Sequence, residues 1–249
     1  MPFGLAVAMI FAAAVILVMF AFVCSRAAEE IRLRRDAKLN IGDRVSLNRD
    51  MGAKLAYKGI CAFFKKEYGK AAKHLEKAVK YSANPQNSAF CLDWMAKCYD
   101  AQEKYGDSLN CGIRAVEIAP TNVKVLFNLA DRYSRSGRFE KAEYYYKSVL
   151  KYEKDNPAAL FMLGEIDMGR GFYDEAEEQL KRVLEQDADF APAAAELSVL
   201  MAIKGNYRQM GVYRDRAEAG EFKDMKRLEK RLCSIREMNA LFSGAENDF

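Results

Sequence analysis

A period of 34 residues runs through the middle of this chain and constrains its fold more than any single motif does. Four windows begin at Ala89, Val123, Pro157 and Ala191; each first residue is counted as offset 1. Offset 17 then holds Tyr105, Phe139, Tyr173 and Tyr207. Offset 7 holds Met95, Leu129, Leu163 and Leu197, and offset 20 holds Ser108, Ala142, Ala176 and Met210. A looser copy begins near Gly52, with Gly59, Tyr68, Ala71 and Ala78 at offsets 8, 17, 20 and 27. Three extra residues near Asn84 and Pro85 separate it from the next window. Self-similarity at this period marks an array of stacked helix pairs. Such arrays bind other proteins more often than they perform chemistry.

Inside a window the pattern is helix, turn, helix. In the third, Leu126, Leu129, Ala130 and Tyr133 fall at i, i+3, i+4 and i+7, one apolar face of a helix. The stretch Arg135, Ser136, Gly137, Arg138 breaks it, with Gly137 free to take the left-handed cap conformation. Phe139, Ala142, Tyr145, Tyr146, Val149 and Leu150 form the next apolar face. Asp155 and Asn156 end the unit, and Pro157 suits the first turn of the helix that follows. One such unit cannot bury its own apolar faces, so several must stack and the ends need caps.

These residues resemble the tetratricopeptide repeat family. The third window supplies Leu126, Leu129, Ala130, Tyr133, Gly137, Phe139, Ala142 and Tyr146 at family offsets, with Val149 where Ala is usual. The fourth supplies Leu160, Leu163, Gly164, Gly171, Tyr173, Ala176 and Leu180, with Asp167 in place of an aromatic. The second gives Leu92, Met95, Ala96, Tyr99, Tyr105, Ala115 and Pro120. The fifth keeps Leu197, Gly205, Tyr207 and Ala217 but departs at Met210 and Arg214. The resemblance implies an all-α fold, a right-handed α-solenoid of about five helix-turn-helix repeats over residues 52–220. Residues 221–242 then read as a capping helix, with Phe222, Met225, Leu228, Leu232, Ile235, Met238 and Phe242 at i+3/i+4 spacing, and 243–249 as a frayed tail. Lys223, Lys226, Arg227, Lys230 and Arg231 give this helix a second reading, a basic amphipathic surface for a membrane or a partner.

The resemblance also implies where a partner sits, since first helices line the concave groove through offsets 2, 5, 6, 9, 12 and 13. In the second repeat these are Phe90, Asp93, Trp94, Lys97 and Asp100. The third contributes Lys124, Phe127, Asn128, Asp131 and Arg135, and the fourth Phe161, Met162 and Glu165. Trp94 stands at offset 6, where the family pattern does not demand it. It is either an exposed hot-spot aromatic or a tryptophan packed on the neighbouring repeat. One family subclass clamps a peptide's terminal carboxylate with Lys, Asn and Arg at fixed offsets. Here those positions hold Ala56, Ile60, Trp94, Lys124 and Asn128, and only Lys124 fits. The mixed lining suits instead a helix or extended peptide segment carrying apolar and charged groups.

Residues 3–23 carry no charge, and a helix of that length spans about 30 Å, the thickness of a bilayer core. No basic residue precedes the run, which is longer than the apolar stretch of a cleaved signal peptide. Residues 1–25 are therefore expected to be a single-pass transmembrane anchor and 26–51 a juxtamembrane stalk and linker. Val23 before Cys24 argues against a lipidation site. Arg26, Arg32, Arg34, Arg35 and Lys38 follow the anchor directly, which places the body in the cytoplasm, with a periplasmic body as the alternative.

The net charge of +4 is small for 249 residues and does not suggest a nucleic-acid partner. Six cysteines without a C-x-x-C pair, and His74 as the only histidine, do not make a metal site. Cys61 and Cys98 share offset 10, where a small apolar side chain packs between helices. No phosphate-binding glycine loop occurs, and Glu177 and Glu178 read as a solvated helix face. The expectation is no enzyme and no cofactor, but a membrane-anchored protein-interaction scaffold. A periplasm-facing assembly factor of an envelope machine, or a self-associating ring or coat component, are the alternatives.

Overall fold

The computed structural model describes residues 51–245. The anchor and stalk expected over residues 1–50 and the last tail residues 246–249 lie outside them. Among the described residues no helix is long and apolar enough to cross a membrane. The fold is all-α, with eleven helices among the described residues, ten of them paired as helix hairpins. The chain divides into two compact units after Pro120.

The first unit holds two hairpins. Helices α1 (Met51–Phe64) and α2 (Tyr68–Tyr81) form one, α3 (Pro85–Asp100) and α4 (Tyr105–Ile118) the other, and α2 packs on α3. The second unit holds three: α5 (Val123–Arg135) with α6 (Phe139–Tyr152), α7 (Pro157–Arg170) with α8 (Tyr173–Gln186), and α9 (Ala191–Ile203) with α10 (Tyr207–Ala219). Helix α11 (Met225–Ala245) follows. It starts later than the expected 221 and continues through 243–245, which were expected to fray. Glu221 sits in the left-handed region, with φ 57°, and keeps the chain in a turn there.

Helix starts follow from capping chemistry. Asn84, Asn122 and Asn156 each accept a backbone N–H with their side-chain oxygen, at 2.8, 3.3 and 3.0 Å. Pro85 and Pro157 then occupy the first turn, where a missing N–H costs nothing. Each hairpin turn needs one left-handed residue at offset 15. Gly137, Gly171 and Gly205 supply it with φ of 72°, 81° and 70° in the second unit. In the first unit Lys66 (φ 62°) and Glu103 (φ 59°) occupy the same place.

The small residue at offset 8 has a steric cause. A Cβ on Gly59 would meet Leu75 Cγ at 2.6 Å, and one on Gly164 would meet Leu180 Cγ at 2.9 Å. The paired helices therefore interlock a leucine with a bare backbone, and Leu75 and Leu180 are fully buried. Cys98 is also fully buried, and burial first, then Cys111, pushes its thiol up to about 12. That places it among packing residues, not reactive ones.

Successive repeats of the second unit are tied by ion pairs. Arg170 reaches back from α7 to Glu143 and Glu140 of α6. Lys204 reaches from α9 to Glu177 and Asp174 of α8, both at 2.6 Å. The cations share offset 14 and the acids share offsets 21 and 18. Glu177, read from sequence as part of a solvated face, is thus a partly buried repeat-to-repeat contact that also binds Lys181 of its own helix.

Candidate partner-binding surface

In the first unit the expected groove residues gather around Trp94, and the tryptophan is not exposed. Its relative exposure is 5%, because Phe63 and Phe64 of α1 stand edge-on to it at 5.2 and 6.0 Å between ring centroids. Phe90, one turn earlier, lies at 6.3 Å, and Lys97 Nζ sits 4.6 Å over the ring. Of its two readings, the structure has the packed one. Two consecutive aromatics on α1 make the pocket that encloses it, a pairing the offset pattern of α3 alone could not reveal. Asp93 is buried as well and pairs with Lys97 at 3.4 Å, while Phe90 and Asp100 are half-buried.

In the second unit one of the expected residues, Phe127, packs on a buried phenol. Tyr146 of α6 is fully buried, with its ring 5.4 Å from that of Phe127 on α5. Its hydroxyl has no hydrogen-bond partner among the described residues. Burial, then the carboxylates of Asp131 and Glu165, push this phenol well above its ordinary range, against the pull of Arg135. Asp131 on α5 and Glu165 on α7 both act on this hydroxyl through their charge, and Asp131 is salt-bridged to Arg135. Phe127, Asn128 and Met162 are half-buried, and Lys124 is exposed at the start of α5. Phe161 turns toward Phe190, at 5.5 Å, and contributes to the core.

Glu165 keeps an exposed side chain, yet its carboxyl is raised above the ordinary range. Desolvation by the surrounding groups is the first cause and the charge of Glu196 the second, with Arg231 opposing. Glu196, at offset 6 of α9, pairs with Arg231 of α11 at 3.1 Å, and both charges reach Glu165, although neither was expected to. Glu196 sits at a groove offset of the fifth repeat and was legible in principle. Arg231 lies beyond the repeats, so no offset rule reaches it.

The architecture defines a helical-repeat protein. More specifically, residues 133–199 match the family model described as Tetratricopeptide repeat. The fold is that of tetratricopeptide-repeat structures. A tetratricopeptide repeat protein from Parabacteroides merdae is similar with a TM-score of 0.66 and 22% identity, over 79% of this chain and 77% of that one. YrrB, described as a TPR protein with an unusual peptide-binding site, is similar with a TM-score of 0.59 and 20% identity, over 74% of this chain and 93% of that one. Heat shock protein STI1 of Saccharomyces cerevisiae is 31% identical over 101 residues, 41% of this chain. The match spans only 17% of the yeast protein.

Proposed function

We propose that this chain is a membrane-tethered scaffold that recruits a partner protein through the first-helix face of its second unit. The observation that carries the reading is the fully buried, unpartnered hydroxyl of Tyr146, whose ring meets half-buried Phe127 at 5.4 Å, with Asp131, Met162 and Glu165 on the first helices α5 and α7. Apolar anchors with a few fixed polar groups are what a helix or extended segment needs for affinity and register. A peptide-binding site on YrrB supports the use of this architecture for peptide capture. Trp94 is a poor probe of the reading, since truncating a ring this buried costs about 3–5 kcal/mol of stability and confounds any binding loss.

The test places a photo-crosslinking residue at Phe127 and, as a control, at exposed Tyr152 in the full-length chain. The captured protein is identified, purified and titrated. Phe127→Ala with Glu165→Ala is expected to weaken its binding roughly tenfold or more with helicity intact. Unchanged affinity rules this face out.

The tether is proposed for residues 1–25, with the body cytoplasmic, on the strength of the charge-free run 3–23 and the arginines behind it. Cys233 is exposed and reports the side. In a Cys24→Ser background, a membrane-impermeant maleimide is expected to label it only after permeabilisation. Labelling in intact spheroplasts would put the body in the periplasm.

A further inference from the structure

Helix α11 does not bury itself as a plain continuation of the stack. Leu228, Leu232 and Ile235 join the core that contains Val199 of α9. Arg231 Nη1 donates to both carboxylate oxygens of Glu196 at 3.1 Å. Further along, Asn239 Nδ2 donates to Ala202 O at 2.9 Å and to the Tyr207 hydroxyl at 3.3 Å. Glu196, Val199 and Ala202 occupy offsets 6, 9 and 12 of the fifth repeat, three groove offsets. Helix α11 therefore lies over the first-helix face of α9.

This placement leaves a pocket of about 630 Å³ between α11, the start of α8 and the end of α9. Its apolar part is Ile203, Ile235 and Met238, with Tyr173 beside them. Arg227, Lys230 and Arg231 stand along it, and none of its lining residues is acidic. The polar groups at its foot are occupied: Asn239 as above, and the Ser234 hydroxyl donating to Lys230 O at 3.1 Å. Arg231 is held by Glu196, whereas Arg227 and Lys230 are exposed and have no ion-pair partner among the described residues. The volume lies inside the range of about 300–1,000 Å³ typical of ligand pockets and admits a large side chain with its flanking backbone.

We propose that this pocket docks an acidic segment of a partner protein, with a large apolar side chain against Ile203, Ile235 and Met238 and flanking carboxylates on Arg227 and Lys230. Charge complementarity decides the partner class, because a recess with cations and no carboxylates selects acidic chains and repels basic ones. An anionic membrane surface is the other natural partner of a basic helix. It needs the helix's apolar face to enter the lipid interface, and here Leu228, Leu232 and Ile235 are already spent on α9. Arg231 borders both this pocket and the Glu165 side of the other face, but Arg227 and Lys230 belong to the pocket alone, and the proposal does not rest on the recruitment reading above.

The experiment uses the full-length chain in zwitterionic nanodiscs and a short fluorescent peptide with Leu and Phe flanked by glutamates. Peptides with glutamine or lysine in place of glutamate serve as comparisons. Saturable binding of the acidic peptide is expected, roughly tenfold or more tighter than the glutamine version and weaker in high salt. The double substitution Arg227→Glu, Lys230→Glu should remove it, with Lys151→Glu on α6 leaving it intact. Both pocket cations are exposed, so the variant's melting should match the native chain. Should the variant unfold, the glutamate-against-glutamine comparison on the native chain still decides. Phe127→Ala alone should leave this binding unchanged, separating it from the recruitment face. Equal binding of acidic and neutral peptides, or equal loss with Lys151→Glu, overturns the proposal. So does a double variant that loses only co-flotation with phosphatidylserine vesicles, which would make α11 a membrane contact.

Discussion

Lys204 Nζ lies 2.6 Å from Glu177 Oε2, and the same link recurs one repeat earlier between Arg170 and Glu143. Each glutamate also binds the lysine four residues on, Lys181 or Lys147. Both carboxyls are held below the ordinary range, first by that lysine and then by the cation from the next repeat. A carboxyl lowered by folding contributes stability above its unfolded value and loses it as pH falls through the folded one. Glu177→Gln should therefore cost stability at pH 7 and flatten the loss on acidification. A double-mutant cycle with Lys204→Met should give about 0.5–1 kcal/mol of coupling at pH 7, since the pair is only partly buried. Denaturant melts across the acid range read both effects. Parallel acid limbs for native and Glu177→Gln chains would show that the link carries no stability.

The interlocks at offset 8 are steeper. Gly164→Ala places a Cβ 2.9 Å from Leu180 Cγ, in a helix pair whose leucine is fully buried. The cost should be about 1–3 kcal/mol, the usual range for overpacking. Gly169 lies on the same helix with open space where its Cβ would go. Gly169→Ala should be neutral or stabilising by up to about 1 kcal/mol. If the two alanines behave alike in thermal melts, the close approach is not what selects glycine.

Much of this was legible in the sequence because the repeat ties local pattern to tertiary neighbours. The hairpin turns and the small residues at offset 8 follow from a 34-residue register, whereas the capping asparagines do not all keep to it. What the register left open or misread has one cause. Trp94 is enclosed by Phe63 and Phe64, which belong to the previous repeat. Glu177 is claimed by Lys204, 27 residues away. Helix α11 carries a regular apolar stripe, but the stripe says only that it packs, not that it packs over α9. Periodicity within an element reports which face is buried, and it is silent on which neighbour buries it.

The left-handed turn residue offers a cleaner contrast between the units. Glu103 holds φ 59° where Gly171 holds φ 81° at the same offset. A non-glycine residue there carries about 1–2 kcal/mol of steric cost, partly offset by the greater freedom of glycine in the unfolded chain. Glu103→Gly should stabilise the first unit by about 0.5–1 kcal/mol, and Gly171→Ala should destabilise the second by about 1 kcal/mol. Separate probes of each unit's unfolding would read these, and a destabilised Glu103→Gly chain would mean the glutamate has a compensating role.

Asp167 stands where the repeat pattern asks for an aromatic, and it is 9% exposed. Gln179 Nε2 donates to its Oδ2 at 2.9 Å, while Gln179 Oε1 is buried without a partner among the described residues. Burial raises the Asp167 carboxyl above its ordinary range, and Glu143 adds to the rise against Gln179, Lys147 and Arg170. The charged form is thus the one folding disfavours. A raised carboxyl contributes stability below its unfolded value and loses it as pH rises through the folded one. Asp167→Asn removes the buried charge and supplies an N–H for Gln179 Oε1. It should stabilise the second unit by about 1 kcal/mol at pH 7. That gain should vanish below the ordinary carboxylate range, where Asp167 is itself protonated. Urea melts at pH 7 and pH 3 distinguish this from a packing effect, which would be the same at both.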